Sequence, residues 1–493
     1  ASPTQMASDA GSARAPSQIV EFYAGQTLFL TGVTGFLGKI VLAQLLQHCP
    51  KIKKVFCLIR GRQGVSAAAR FEKEVFSIEL FTNLIKKDPS IRDKMHIVEG
   101  DISLNKLGLS PEATAVVEAE TTVIIHCAAT TKFDETLKVA IQLNTMGAKR
   151  VLDLAKNCKH LLSHVHVSTA YVNCIHNSGN IEIREKIYPL AVNPYDFLEK
   201  VSTMTQEQAH AQTEQLIAPY PNTYTFTKAI GEHILLAEKG DVPLAIVRPS
   251  IVGCAYQYPL PGWVDSMIAA SGLLLMLGVG ALHSMHGNSS NISDIIPVDT
   301  ISTILLSAAW RTAVQYGTLN PGMTARKPSL PIYHGTTSTK NPTMWSTSLR
   351  IVEGYFRRHP AKRAVGLPWA IYVPGRIQHR LFHHAVHTVP AAVSDALTYA
   401  KGGKPTLVKK SGRLLKAVKT LAYFTSYQWF YSTENVDALI DVMNEEDLRL
   451  FPVDVRKIDW EVYFLTYAQG LRRYMLKEVD ELDVDNPNIR AKL

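Results

Sequence analysis

Tyr224 and Lys228, in the stretch YTFTK, stand four residues apart. On a helix, positions i and i+4 share a face, so a phenol and an ammonium would sit side by side. A positive charge next to a phenol favours phenolate and draws its pKa down toward the working pH. The bland alternative is an exposed helix face. Ser168 and Thr169 end the run HVHV, where a hydroxyl is placed to polarise a carbonyl. Arg248 to Val252 (RPSIV) ends another apolar run. There the backbone around Pro249 and Ile251 is suited to contact a carboxamide.

A second group of residues is suited to hold a dinucleotide. Residues 29 to 39 read FLTGVTGFLGK, so Gly32, Gly35 and Gly38 follow an apolar run (Thr27 to Leu30) and precede a helical pattern (Lys39 to Gln47). Strand, glycine turn and helix is the context of a dinucleotide-binding turn, with pyrophosphate on the helix N-terminus. Thr31, Thr34, Phe36 and Leu37 fall within that turn. After the next strand-like run come Arg60 and Arg62. An acid there would bind the ribose hydroxyl of NAD, whereas arginine pairs with the 2′-phosphate of NADP, so NADPH is the expected cofactor. Asp101 and Ile102 follow the third run, beside the expected adenine. Ala128 lies in a small-residue step after the fourth, and Asn144 on the next helix. Lys228 is also placed to hold the nicotinamide ribose. Hydroxyl, tyrosine and lysine, in this order within a nucleotide fold, are similar to the arrangement of short-chain dehydrogenases.

Those residues need a scaffold. Val55 to Ile59, Met95 to Val98, Val123 to His126, His164 to Val167 and Leu244 to Val247 are short runs almost free of charge, separated by helical segments. Such runs indicate a parallel sheet covered on both faces. The expected fold is α/β: a Rossmann-like doubly wound parallel sheet of the extended short-chain dehydrogenase type, with a small helical C-terminal domain. The expected division is a disordered lead-in at 1–19 and a nucleotide-binding reductase domain with a substrate-binding part at 20–360. A basic connector at 361–420, a helical domain at 421–480 and a tail at 481–493 complete it.

The totals narrow the partners. The chain has 493 residues and a formal net charge of +9, which suits polyanionic small molecules or an anionic membrane surface. Without zinc-finger spacing or an aromatic-basic RNA motif, nucleic acid is not expected. Six scattered cysteines argue for a reducing compartment, and Cys174 and Cys254 read as packing residues. The start has no signal-peptide core. Met267 to Ala281, the longest apolar stretch, has 15 residues against the roughly 20 needed to span a bilayer, so it reads as a buried helix or pocket wall. His379, His383, His384 and His387 have helical spacing but no acidic or cysteine partner. A basic solvated face is expected there, and no metal. Lys401 to Lys419 holds seven basic and no acidic residues and suits a membrane-surface or domain-packing helix.

Residues 20–57, HVSTAYVN, YTFTK, RPSIV, PLPGWVDS, SDIIPVD, KPTLVKK and the stretch from FTSYQWFYSTENV to RRYMLKE resemble eukaryotic fatty acyl-CoA reductases, closest to the animal type. The resemblance spans roughly residues 20 to 478. It implies reduction of long-chain acyl-CoA to a primary alcohol through an aldehyde, with two NADPH and release of CoA. Alternatives are a thioester reductase that stops at the aldehyde and a silent NADP-binding lipid-sensing module. The Met267 to Ala281 segment is expected to line an acyl channel. Animal members usually continue into membrane-spanning segments where this sequence ends at Ala491-Lys492-Leu493. That tail is similar to the SKL peroxisomal address, so a peroxisomal enzyme is expected, with the endoplasmic reticulum or a cytosolic membrane face as alternatives. Peripheral membrane contact through 401–419 and a homodimer are the remaining expected associations.

Overall fold

The computed structural model describes residues 15–62, 64–176, 181–319 and 329–478. The Ala491–Leu493 tail and residues 1–14 of the expected lead-in lie outside them.

Seven strands form one parallel sheet: β1 (Thr27–Thr31), β2 (Lys54–Ile59), β3 (Met95–Glu99), β4 (Val123–His126), β5 (Ser163–Val167), β6 (Leu244–Pro249) and β7 (Ile332–Gly335). Their order is β7-β6-β5-β4-β1-β2-β3. β1, β4, β5 and β7 are buried at every position, as expected of strands with helices on both faces. The order reverses between β1 and β4, where Thr31 pairs with His126. A doubly wound sheet binds its ligand at that reversal, beyond the carboxyl ends of the strands. The five expected runs after β1 became β2 to β6; β7 (IYHG) was missed because only Ile332 and Tyr333 of its four residues are apolar.

The C-terminal helices share a core with the sheet domain. Val436, Leu439, Phe451, Tyr463 and Tyr467 belong to one hydrophobic cluster with Ile295, Ile301 and Leu305. A polar tie through Ser432 joins the units, backed by a buried ion pair behind it. His334 of β7 is held between the Arg248 guanidinium and the Ser432 carbonyl, and Arg248 is fully buried against Glu232 at 2.6 Å. The Gln18–Tyr23 helix begins inside the expected lead-in because Ser17 caps it and donates to Asp447 Oδ1 at 2.6 Å. The Leu407–Ser426 helix runs across the 420/421 boundary expected from composition. Charge thins along it, but the helical backbone does not stop.

The histidines do not form a solvated face. His379 and His383 are buried. The ring of His387 stacks on His283, which stacks in turn on Trp369. Helical spacing was visible in the sequence; the inward direction is set by those distant rings. Among the described residues no group of histidine, cysteine and acidic side chains is placed to hold a metal ion, and no helix is long and apolar enough to cross a membrane.

Candidate functional site

Beyond the carboxyl ends of β1, β4, β5 and β6 lies a cavity of about 450 Å³. Its lining brings together Gly32, Thr34, Gly35, Phe36, Leu37, Gly38, Ser168, Thr169, Tyr224, Lys228, Pro249 and Ile251. The glycine turn therefore faces the hydroxyls, the phenol and the ammonium across one space.

Gly32 has φ +76°, and a Cβ there would stand 2.8 Å from the Ala128 amide nitrogen. A Cβ on Gly38 would meet the Gly32 carbonyl oxygen at 2.2 Å. These glycines let β1, β4 and the Phe36–His48 helix close on one another. No side chain caps that helix and no acid occupies its first turn, so its amides open toward the cavity as an anion site. Thr31 lies just beneath, its hydroxyl bonded to His126 Nδ1 at 2.7 Å and accepting from the Ala128 amide at 3.1 Å.

Tyr224 and Lys228 lie on the Thr223–Glu238 helix, started by the Asn222 side chain accepting from the Thr225 amide. Lys228 Nζ is buried and donates to the Val167 carbonyl at 2.7 Å. Burial pulls its pKa down to about 8. Burial pushes the Tyr224 phenol up to about 12, with a hydrogen bond to Thr169 working the other way. The shift runs opposite to the expected lowering, because desolvation of the phenol outweighs the Thr169 hydrogen bond. The result is a phenol that keeps its proton and an ammonium that gives it up more readily.

Thr169 is fixed by the Pro249 carbonyl. Ser168 is held by its own amide on the Val247 carbonyl at 2.8 Å, while its buried hydroxyl has no hydrogen-bond partner among the described residues. An unpartnered buried hydroxyl is costly, and this one faces the cavity. Asn144 sits in a π-helical turn, Ile141–Thr145. Its carboxamide exchanges two hydrogen bonds with the Thr130 backbone and donates to Thr227 Oγ1. It braces the Tyr224 helix without lining the cavity.

Arg60, Arg62, Asp101 and Ile102 lie at the ends of β2 and β3, outside the cavity lining. Arg60 reaches Asp101 at 3.4 Å, and Asp101 also accepts from the Ser103 amide. Both arginines are exposed, beside the opening of the glycine turn. The buried thiols of Cys174 and Cys254 are raised, Cys174 to about 12, so neither supplies a thiolate near neutrality.

Lys39, Asp265, Trp263, Phe133, Tyr171 and Phe424 escaped the sequence reading. Lys39 lines the cavity and bonds Asp265, 226 positions away, while Phe36 stacks on Trp263 at 5.4 Å. These contacts clasp the 259–269 segment over the glycine turn. Phe133 stacks on Tyr224 at 5.8 Å, and Tyr171 meets Phe424 edge-on at 4.9 Å. Together Phe133, Tyr171, Ala269, Leu273, Trp345 and Phe424 line an apolar recess adjoining the cavity. Nothing local marks such pairs; the family-like motif PLPGWVDS held the signal for Asp265.

An anion-ready helix terminus and exposed arginines at the next strand end fit a nicotinamide dinucleotide. Residues 30–305 match an NAD-binding family model described as male sterility protein, and residues 386–478 match a second model of the same description. The chain is 36% identical to fatty acyl-CoA reductase 1 of Homo sapiens over 463 residues, 93% of this chain and 86% of that one. With fatty acyl-CoA reductase 2 of Bos taurus it shares 34% over 462 residues, 94% and 87% of the two chains. Among solved structures, the terminal R domain of the myxalamid biosynthetic pathway superposes with a TM-score of 0.58 at 18% identity, covering 91% and 90%. The reductase domain of a Mycobacterium tuberculosis nonribosomal peptide synthetase gives 0.58 at 17%, covering 94% and 96%. These two share the fold. With a third of its residues shared along nine-tenths of its length, on a doubly wound sheet that frames a tyrosine, a lysine and a glycine turn, this chain belongs to the fatty acyl-CoA reductase family.

Proposed function

We propose that the chain reduces long-chain fatty acyl-CoA to the primary alcohol through the aldehyde, releasing CoA, with NADPH as reductant. The observation that supports this best is the Ser168 hydroxyl, without a partner among the described residues, lining one cavity with Tyr224 and the glycine turn. Bound NADPH would supply the hydride for each of the two reductions. Gly32, Gly35 and the first-turn amides would hold its pyrophosphate, Arg60 and Arg62 its 2′-phosphate, and Lys228 its ribose.

The thioester carbonyl would lie between Ser168 and Tyr224. Both hydroxyls donate toward the oxygen as charge develops there, the stabilisation a preorganised oxyanion site provides. Collapse of that oxyanion expels the CoA thiolate and leaves an aldehyde in the same place. For that second carbonyl Tyr224, still protonated at neutral pH, hands its proton to the alkoxide. Lys228 stands behind it, and Asn144 fixes the helix that carries both. The apolar recess at Leu273 and Phe424, about 30 Å³, would meet part of the acyl tail, and Lys39, paired with Asp265, lies on the wall of the adjoining cavity.

The proposal extends to peripheral membrane contact by the basic 401–419 stretch, to a homodimer, and to peroxisomal delivery by Ala491-Lys492-Leu493. Fluorescent-protein fusions of the last ten residues that stay cytosolic would sink the delivery claim. The reaction is tested by incubating protein with palmitoyl-CoA and NADPH, following absorbance, and extracting products, with Tyr224→Phe and NADH controls. Two NADPH per hexadecanol is the expected result. Half that ratio with free aldehyde would make it a two-electron enzyme, and binding without turnover a silent module.

A further inference from the structure

The segment from Arg376 to Ala400 is one helical run, Arg376–His383 and Val389–Ala400 joined through a π-helical turn at His384–Thr388. It is turned inside out. Ile377, Leu381, Ala385, Val389, Val393 and Leu397 recur every fourth residue, a single stripe, and all are exposed. Ile377 is 73% exposed, Leu381 67% and Leu397 60%. The inward face carries the polar groups instead. His379 and His383 are buried, and His383 Nδ1 bonds Ser284 Oγ at 3.0 Å. Asp395 is also turned inward, accepting from the amides of Thr406, Leu407 and Val408.

We infer that this stripe is a docking surface for an anionic lipid bilayer, to which the run lies parallel. Its reach favours a flat partner, since twenty residues of helix extend about 30 Å. Charge complementarity selects the lipid. Between residues 361 and 419 there are eleven Lys or Arg and one acid, and that acid, Asp395, is consumed in capping the next helix. Arg376, Arg380, Lys401, Lys404, Lys409 and Lys410 are exposed around the stripe. An apolar stripe flanked by cations and emptied of negative charge is the pattern of a helix lying in the headgroup boundary of an anionic leaflet. The surface is separate from the catalytic cavity, and the inference does not rest on the reductase reading.

Flotation of the full chain with vesicles of phosphatidylcholine containing roughly 30% phosphatidylserine tests it, beside phosphatidylcholine alone. The unaltered chain is expected to float with the anionic vesicles. Ile377→Glu/Leu381→Glu and Val393→Glu/Leu397→Glu are expected to weaken partitioning at least tenfold, on the order of what losing two inserted side chains implies. Their thermal transition should stay that of the parent, since none of the four positions is buried; Ile377→Ser/Leu381→Ser replaces the first pair if it does not. Lys409→Gln/Lys410→Gln should weaken binding and leave a salt-insensitive remainder. An unaltered chain that does not float, or glutamate variants that float equally well, would overturn the assignment. A dimer that the glutamate variants convert to monomer, without vesicle binding by either form, would give the stripe to a second copy of the chain.

Discussion

Tyr224 and Lys228 share one helix face yet are shifted in opposite directions by the same cause, burial. The phenol at about 12 stays protonated across the accessible pH range, whereas the ammonium at about 8 does not. A lysine whose pKa is lowered loses its charge as pH rises through the lowered value. Turnover should therefore decline above pH ~8 through Lys228 while Tyr224 remains an acid, and a rate profile flat to pH 10 would contradict this. Tyr224→Phe should lower kcat by about 10²–10⁴-fold with NADPH binding retained, the range for losing a positioned proton donor. Ser168→Ala should cost about 10²–10³-fold, as for one oxyanion donor. The hydroxyl, phenol and ammonium were legible because short-range order and spacing carry them. Their pKa values were not, since desolvation is set by the packing around the cavity.

At the scale of elements, close backbone approach dominates. Gly32 at φ +76° against Ala128 admits no side chain, so Gly32→Ala should destabilise by about 1–3 kcal/mol through strain and overpacking, read by denaturant midpoint. Replacing Glu232 by Gln would leave the fully buried Arg248 charge facing an uncharged amide. Removing one partner of such a pair costs about 3–5 kcal/mol. The histidine face has its own pH signature. His383 and His387 are held down to about 4, chiefly by burial and then by neighbouring charge: His379, His384 and Lys419 around His383, and His383, His283 and His379 around His387. Between that value and the unfolded pKa near 6.5 the unfolded chain binds more protons. Stability should then fall as pH drops from about 6.5 toward 4, which thermal melts across that window would reveal. Apolar runs made β1 to β6 legible, whereas β7 and the inward turn of His379 depend on partners remote in sequence.

Across the whole molecule, the C-terminal helices complete the site. Phe424 and Leu421 of the Leu407–Ser426 helix close the recess that Leu273 opens on the other side. The Trp460–Gly470 helix packs on the 259–269 segment so closely that a Cβ on Gly470 would strike the Gly262 carbonyl. Leu273→Trp should shift product toward shorter chains, checked by competing acyl-CoAs of graded length; an unchanged product spectrum would remove the recess from the substrate path. The sheet and glycine turn were readable from local pattern. The contribution of residues beyond 400 to a pocket built near residues 130–270 was not, because only the folded chain brings Phe133 to Phe424.

The bond from Ser17 to Asp447 gives the molecule a mechanical property. Tension applied to both ends of the described chain would meet this clasp, with the Ile19 amide on the same carboxylate, before it reached any strand. Only a few hydrogen bonds hold the clasp, so it should yield at low force, before the many bonds of the parallel ladder. Asp447→Ala would erase that first event from a force trace and leave the main rupture where it was.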